Sequence, residues 1–148
     1  MHIHETVKAR HGKEIAREWI GARTRTLNRV VSPHYDEVLA PLGLKGSQLN
    51  VLIAVGNAER ARPNDLIRRL RIDQTTLSRN VDRMCKEGWL ALEADTDQRS
   101  NWIFLTPKGQ RLPEQTYPAW KKAQDKLAKR LGTDGVAAFK MVLSKLLE

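Results

Sequence analysis

Residues 63–105 read PNDLIRRLRIDQTTLSRNVDRMCKEGWLALEADTDQRSNWIFL. Pro63 suits a first helical position, because its missing N–H would be unpaired there anyway. Leu66, Ile67 and Leu70 then recur at helical spacing and predict a short helix to about Leu70. Only Arg71-Ile72-Asp73 separates this stripe from the next, which leaves room for a tight turn and nothing more. Asp73 has the chemistry of an N-cap. Leu77, Val81, Met84 and Cys85 form the buried stripe of a second helix, Gln74 to about Glu87, and Gly88 ends it as a C′ glycine. The period then changes. Residues 89–93 and 101–105 are short strand-like runs around the polar turn 94–100, a β-hairpin with a charged tip. Helix, three-residue turn, helix and hairpin is the winged helix-turn-helix arrangement.

The buried stripe of the second helix fixes what points outward: Thr75, Thr76, Ser78, Arg79, Asp82, Arg83 and Lys86. An α-helix fits the major groove of B-DNA, where arginine can reach guanine O6 and N7 or a phosphate. Short hydroxyl side chains let the backbone approach the duplex. Taken alone, such a face is also what an ordinary solvated helix presents. At the hairpin tip, Asp97 and Arg99 are two apart and share one side of an extended segment, so Asp97 can orient the guanidinium. A narrow minor groove attracts an arginine by its negative potential. The charge balance is compatible: 26 Lys and Arg against 17 Asp and Glu give +9, a surface that attracts polyanions such as double-stranded DNA, RNA or acidic membranes, though a generically basic protein has the same balance.

Outward from this core, residues 13–40 carry Ile15, Trp19, Leu27, Val31, Val38 and Leu39 near helical spacing, with a kink expected near Val31–Pro33. A turn at 41–46 leads to a short apolar helix with Leu49, Leu52, Ile53 and Val55 facing the core, and residues 56–62 read as a loop. Thr106-Pro107 restarts helix, Pro113 and Pro118 predict a bent or late-starting one, and Gly132 stops it. A last helix places Val136, Phe139, Leu143, Leu146 and Leu147 on one stripe. The reading is one mainly α domain with a small β-hairpin wing and terminal dimerisation helices. Residues 1–12 form a flexible N-terminus, 41–109 the winged helix-turn-helix region, and 13–40 with 110–148 the dimerisation helices. Their apolar stripes need a partner, either a second copy of the chain or other elements of the same one.

Asp97-x-Arg99 followed by Leu105-Thr106-x-x-Gly109, downstream of Leu77-Ser78-Arg79 and Gly88-Trp89, resembles the multiple-antibiotic-resistance regulator (MarR) family. Gly43-Leu44 and Gln48-x-x-Val51-Leu52 extend the resemblance, which spans about residues 24–148. It implies a homodimeric winged-helix transcription regulator that binds pseudo-palindromic operators and releases them on binding a small molecule or on oxidation. Gln74 to Lys86 would be the recognition helix and Arg99 the wing arginine. Three positions depart from the pattern: Lys45 and Arg62 stand where the family has helix-capping residues, and Ile67 replaces a small alanine.

No HExxH, GxSxG, Walker loop or GxGxxG occurs, and Asp95-x-Asp97 lacks the other ligands of a calcium loop, so no enzyme, metal site or cofactor is expected. His2-x-His4 has the spacing to chelate a metal, and a frayed terminus is the favoured reading. One cysteine, no apolar leader and no apolar run of spanning length suit a cytoplasmic protein without a membrane partner. Cys85, on the buried side of the second helix, reads as an inert thiol more than a redox sensor. In proteins of the resembled family the effector lies between the dimer helices and the winged core. Trp19, Arg23, His34 and Tyr35 offer aromatic faces and cationic heads there, suited to a small aromatic or anionic effector. The competing reading gives Trp19 to a dimer core and Arg23 to solvent. A winged-helix module binding RNA or a protein is the alternative function, and the wing residues favour DNA.

Overall fold

A computed structural model describes residues 10–96 and 100–148 of the chain. Its elements run α1 (Arg10–Glu18), α2 (Ile20–Leu39), a 3-10 turn (Ala40–Leu42), α3 (Gly46–Asn57), β1 (Arg60–Ala61), α4 (Pro63–Leu70), α5 (Gln74–Lys86), β2 (Leu90–Ala94), β3 (Asn101–Leu105) and α6 (Pro107–Leu147). The chain divides into two compact units, residues 1–33 and 34–148. Among the described residues no single helix is long and apolar enough to cross a membrane.

The first unit holds α1 and the first part of α2. Helix begins at Arg10, three residues before the start expected at 13. The break falls at Trp19, not near Val31–Pro33, and α2 runs on through Pro33. A proline inside a helix forfeits one backbone bond, which neighbouring turns can absorb. At Trp19 the interruption has its own chemistry. The Arg23 guanidinium donates to the Arg17 carbonyl, an acceptor that a continuous helix would pair with a backbone amide. The Trp19 indole folds over Gly21, its Nε1 lying 2.7 Å from where a Cβ would stand.

The second unit is built around Leu39, Leu44, Val51, Leu52, Val55, Leu66, Leu77, Met84 and Ile103, all nearly inaccessible to solvent. Ile67 packs against this core at partial exposure, accommodated without the small residue the family uses. Ile53, expected inside, is exposed, because α3 turns its Val51, Leu52, Ala54 and Val55 sides inward instead. Lys45 supplies no capping side chain to α3. The buried Gln48 Oε1 accepts from the Lys45 amide at 3.0 Å, and Asp36 Oδ1 accepts from the Gly46 amide at 2.8 Å. The expected loop at 56–62 contains the end of α3 and a two-residue strand, β1. That strand joins an antiparallel sheet of order β1-β3-β2, with Ala61 opposite Ile103 and Leu92 opposite Ile103 from the other side.

Asp73 caps α5 as its sequence position predicts, accepting from the Thr76 amide at 3.1 Å and the Thr76 hydroxyl at 2.5 Å. Those bonds, the hydroxyl's first and the amide's second, hold the Asp73 carboxyl below its ordinary pKa. A carboxyl lowered on folding stabilises the fold above its unfolded pKa and loses that contribution as pH falls through the folded value. Asp73→Ala is therefore expected to lower the melting temperature at neutral pH. In thermal melts the gap from the parent should shrink as pH drops below about 3–4; a gap constant with pH contradicts the cap.

The other end of α5 explains the Gly88-Trp89 pair. Gly88 adopts φ +77°, its amide donates to the Cys85 carbonyl at 3.0 Å, and the Trp89 amide donates to the Met84 carbonyl at 2.9 Å. This is a Schellman closure, with Trp89 and Met84 buried together beneath it. Thr106 then caps α6, accepting from the Gly109 amide at 3.1 Å while its hydroxyl donates to the Gly88 carbonyl at 2.5 Å. Neither Pro113 nor Pro118 interrupts α6; its non-helical residue is Gly132, at φ 72° and ψ 171°. A proline costs one hydrogen bond, whereas a left-handed φ redirects the chain.

Candidate nucleic-acid interface

The outward face of α5 is assembled as its stripe dictates. Leu77, Val81 and Met84 are buried, while Thr75, Thr76, Ser78, Arg79, Asp82, Arg83 and Lys86 are exposed. Among the described residues neither Arg79 nor Arg83 is held by a carboxylate, so both guanidinium groups are available to an external acceptor. Thr76 differs from its neighbours, since Asp73 takes its hydroxyl proton and leaves its oxygen to accept. Asp97 and Arg99 lie outside the described residues, as do His2 and His4. The strands that lead to the tip are in place, with Ala94 paired to Asn101.

The root of the wing holds a cluster that sequence reasoning missed. Arg60 and Arg62 place their guanidinium carbons 4.1 Å and 4.4 Å from the centroid of the Trp102 ring. Arg62 also pairs with Asp95, whose side chain is only 8% exposed. The signal available was the Arg60-x-Arg62 spacing, which puts both side chains on one side of an extended segment. Reading that stretch as a loop concealed it.

The four effector candidates divide between the two units. In the first, Trp19 faces the Arg25 guanidinium at 5.4 Å, and Arg23 is engaged by the Arg17 carbonyl. In the second, His34 is half-buried and the Tyr35 hydroxyl donates to Gln124 Oε1. Neither unit by itself brings the four together. Burial raises the Tyr35 pKa. Burial first, and the Asp82 charge second, also raise the pKa of the Cys85 thiol.

A short helix, a tight turn, a second helix with a free polar face and a hairpin define a winged helix-turn-helix protein. Residues 42–100 match the MarR family. Over 116 residues the chain is 33% identical to the multiple antibiotic resistance protein MarR of Salmonella typhimurium, covering 76% of this chain and 79% of that protein. A cysteine-to-serine mutant of Escherichia coli MarR, solved in complex with operator DNA, superposes with a TM-score of 0.79 at 26% identity, covering 90% of this chain and 97% of the other. The structure described as the multiple antibiotic resistance repressor MarR gives 0.65 at 27% identity, covering 87% and 95%. The chain belongs to the MarR family of winged-helix transcription regulators.

Proposed function

We propose that this regulator binds double-stranded DNA by inserting α5 into the major groove, with Thr75, Thr76, Ser78, Arg79 and Arg83 at the contact and Asp97 and Arg99 of the wing reaching the adjacent minor groove. The observation that carries the reading is the α5 face itself, where exposed hydroxyls and two arginines, free of carboxylates among the described residues, back onto the buried Leu77, Val81 and Met84. The complex of the similar Escherichia coli protein with operator DNA supports it. The test is titration of a labelled duplex from upstream of the chain's own gene across a salt series. The logarithm of the binding constant should fall with the logarithm of salt by about 0.9 per phosphate neutralised. Binding unchanged between low and moderate salt, or binding to RNA alone, contradicts the reading.

The regulator acts as a homodimer on a pseudo-palindromic operator. In the single chain Leu131, Phe139, Met141, Val142, Leu143, Leu146 and Leu147 of α6 are exposed, as are Ile15, Trp19, Ile20, Leu27 and Val30 in the first unit. So many large apolar side chains, exposed along these helices, call for a cover, and a second copy is the commonest one. Residues 13–40 and 110–148 are thus the dimerisation helices and 41–109 the DNA-binding region. Repression is the sign of regulation supported by the similar repressor; deleting the gene should raise expression of a reporter fused to the upstream region. A small aromatic or anionic effector, recognised through Trp19, Arg23, His34 and Tyr35, would release the DNA.

A further inference from the structure

The wing's root is tied to the start of the helix-turn-helix motif by one side chain. Arg62 occupies the N-cap position of α4 at φ −90° and ψ 151°, yet its side chain makes no cap. It crosses instead to the sheet, where it lies over Trp102 of β3 and pairs with Asp95, the residue that follows the last position of β2. Arg60, two residues earlier on β1, lies over the same indole. Two guanidinium groups on one ring repel each other, and the Asp95 carboxylate offsets that charge. With its side chain 8% exposed, Asp95 in turn needs a cation, because a buried carboxylate without one is costly. The group therefore joins three elements by contacts that depend on one another: the beginning of α4, the end of β2 and the start of β3.

We propose that Arg62, Asp95 and Trp102 form a positioning device that sets the wing relative to α4 and α5, and that the wing's contribution to DNA affinity depends on it. The proposal rests on the reading that the wing touches DNA. Arginine is required at 62, since only a planar guanidinium can stack on the indole and meet the carboxylate at once. Asp95 stands two residues before Asp97 and four before Arg99, so holding it anchors the chain entering the tip.

The test uses the full-length protein and a labelled operator duplex. Asp95→Asn and Arg62→Lys should each weaken binding by roughly tenfold, and the double variant by no more than the worse single one, because both remove the same coupling. Circular dichroism should show native helix content in both, and Arg62→Lys serves if Asp95→Asn does not fold. The deciding comparison is Arg99→Ala in two backgrounds. In the parent it should cost several-fold or more in affinity; with Asp95→Asn present it should cost less than about twofold, while Arg79→Ala keeps its full effect in both. An equal cost of Arg99→Ala in both backgrounds overturns the proposal and leaves wing contact standing. No cost in the parent overturns the wing contact, and the proposal with it.

Discussion

Gly109→Ala should destabilise the protein by about 3 kcal/mol, seen as a melting temperature lower by roughly 6–12 °C. A Cβ at this position would stand 2.1 Å from the Trp89 carbonyl oxygen and 3.0 Å from its carbon, both backbone atoms that no rotamer change can move aside. That carbonyl also accepts from the Thr106 amide at 3.0 Å, so retreat would break the bond that fixes the capping residue of α6. The Schellman closure of α5 holds the amide of the same residue, Trp89, to the Met84 carbonyl. Strain at Gly109 therefore spreads to the end of α5, the start of β2 and the first turn of α6. Gly12→Ala is the control, because a Cβ there meets nothing within 4 Å and alanine is the better helix former. A melting temperature for Gly109→Ala within about 2 °C of the parent would refute this packing.

Removing residues 136–148 should abolish the dimer and reduce operator affinity by roughly 100-fold or more. The deleted segment carries Phe139, Met141, Val142, Leu143, Leu146 and Leu147, every one exposed in the single chain. The core of the second unit, from Leu39 to Leu112, lies outside the deletion and should stay folded. The loss is then one of linkage: two half-site contacts become independent events instead of one concerted event. Light scattering should report one chain per particle, or aggregation if Leu131 and its neighbours remain uncovered. Phe139→Asp with Leu143→Asp should reproduce the result without shortening the chain. A truncated monomer binding the operator at undiminished affinity would show that the stripe serves another purpose.

The elements legible in the sequence are those whose ends carry local chemistry. Pro63, Asp73, Gly88 and Thr106 each mark a boundary through a bond or a missing bond within a few residues, and each stands where it was expected. The recognition face followed because a buried stripe determines its opposite. What escaped was non-local. Strand β1 is two residues long and exists through pairing with β3 more than forty positions away, so no periodicity announces it. The Arg62–Asp95 pair is non-local too, with more than thirty positions between its members. Prolines at 33, 113 and 118 suggested breaks that a single lost hydrogen bond does not enforce, while the interruption at Trp19 depends on where Arg23 and the indole fold. The effector residues were grouped by chemical type alone, and their contacts differ.

The most direct test of the account is a binding series on operator duplexes carrying single-base changes, run with the parent, Arg79→Ala and Arg99→Ala. Arg79 lies on the exposed face of α5, where the major groove distinguishes every base pair and a good bidentate contact is worth about 1–3 kcal/mol of discrimination. The minor groove offers a degenerate pattern, so an arginine there adds affinity and a preference for A·T. Arg79→Ala should weaken binding and relax preference at one position in each half-site. Arg99→Ala should weaken binding to most sequences while preserving their order. Full-strength binding by both variants, with unchanged preference at every position, would contradict the claim that α5 and the wing form the DNA-reading surface.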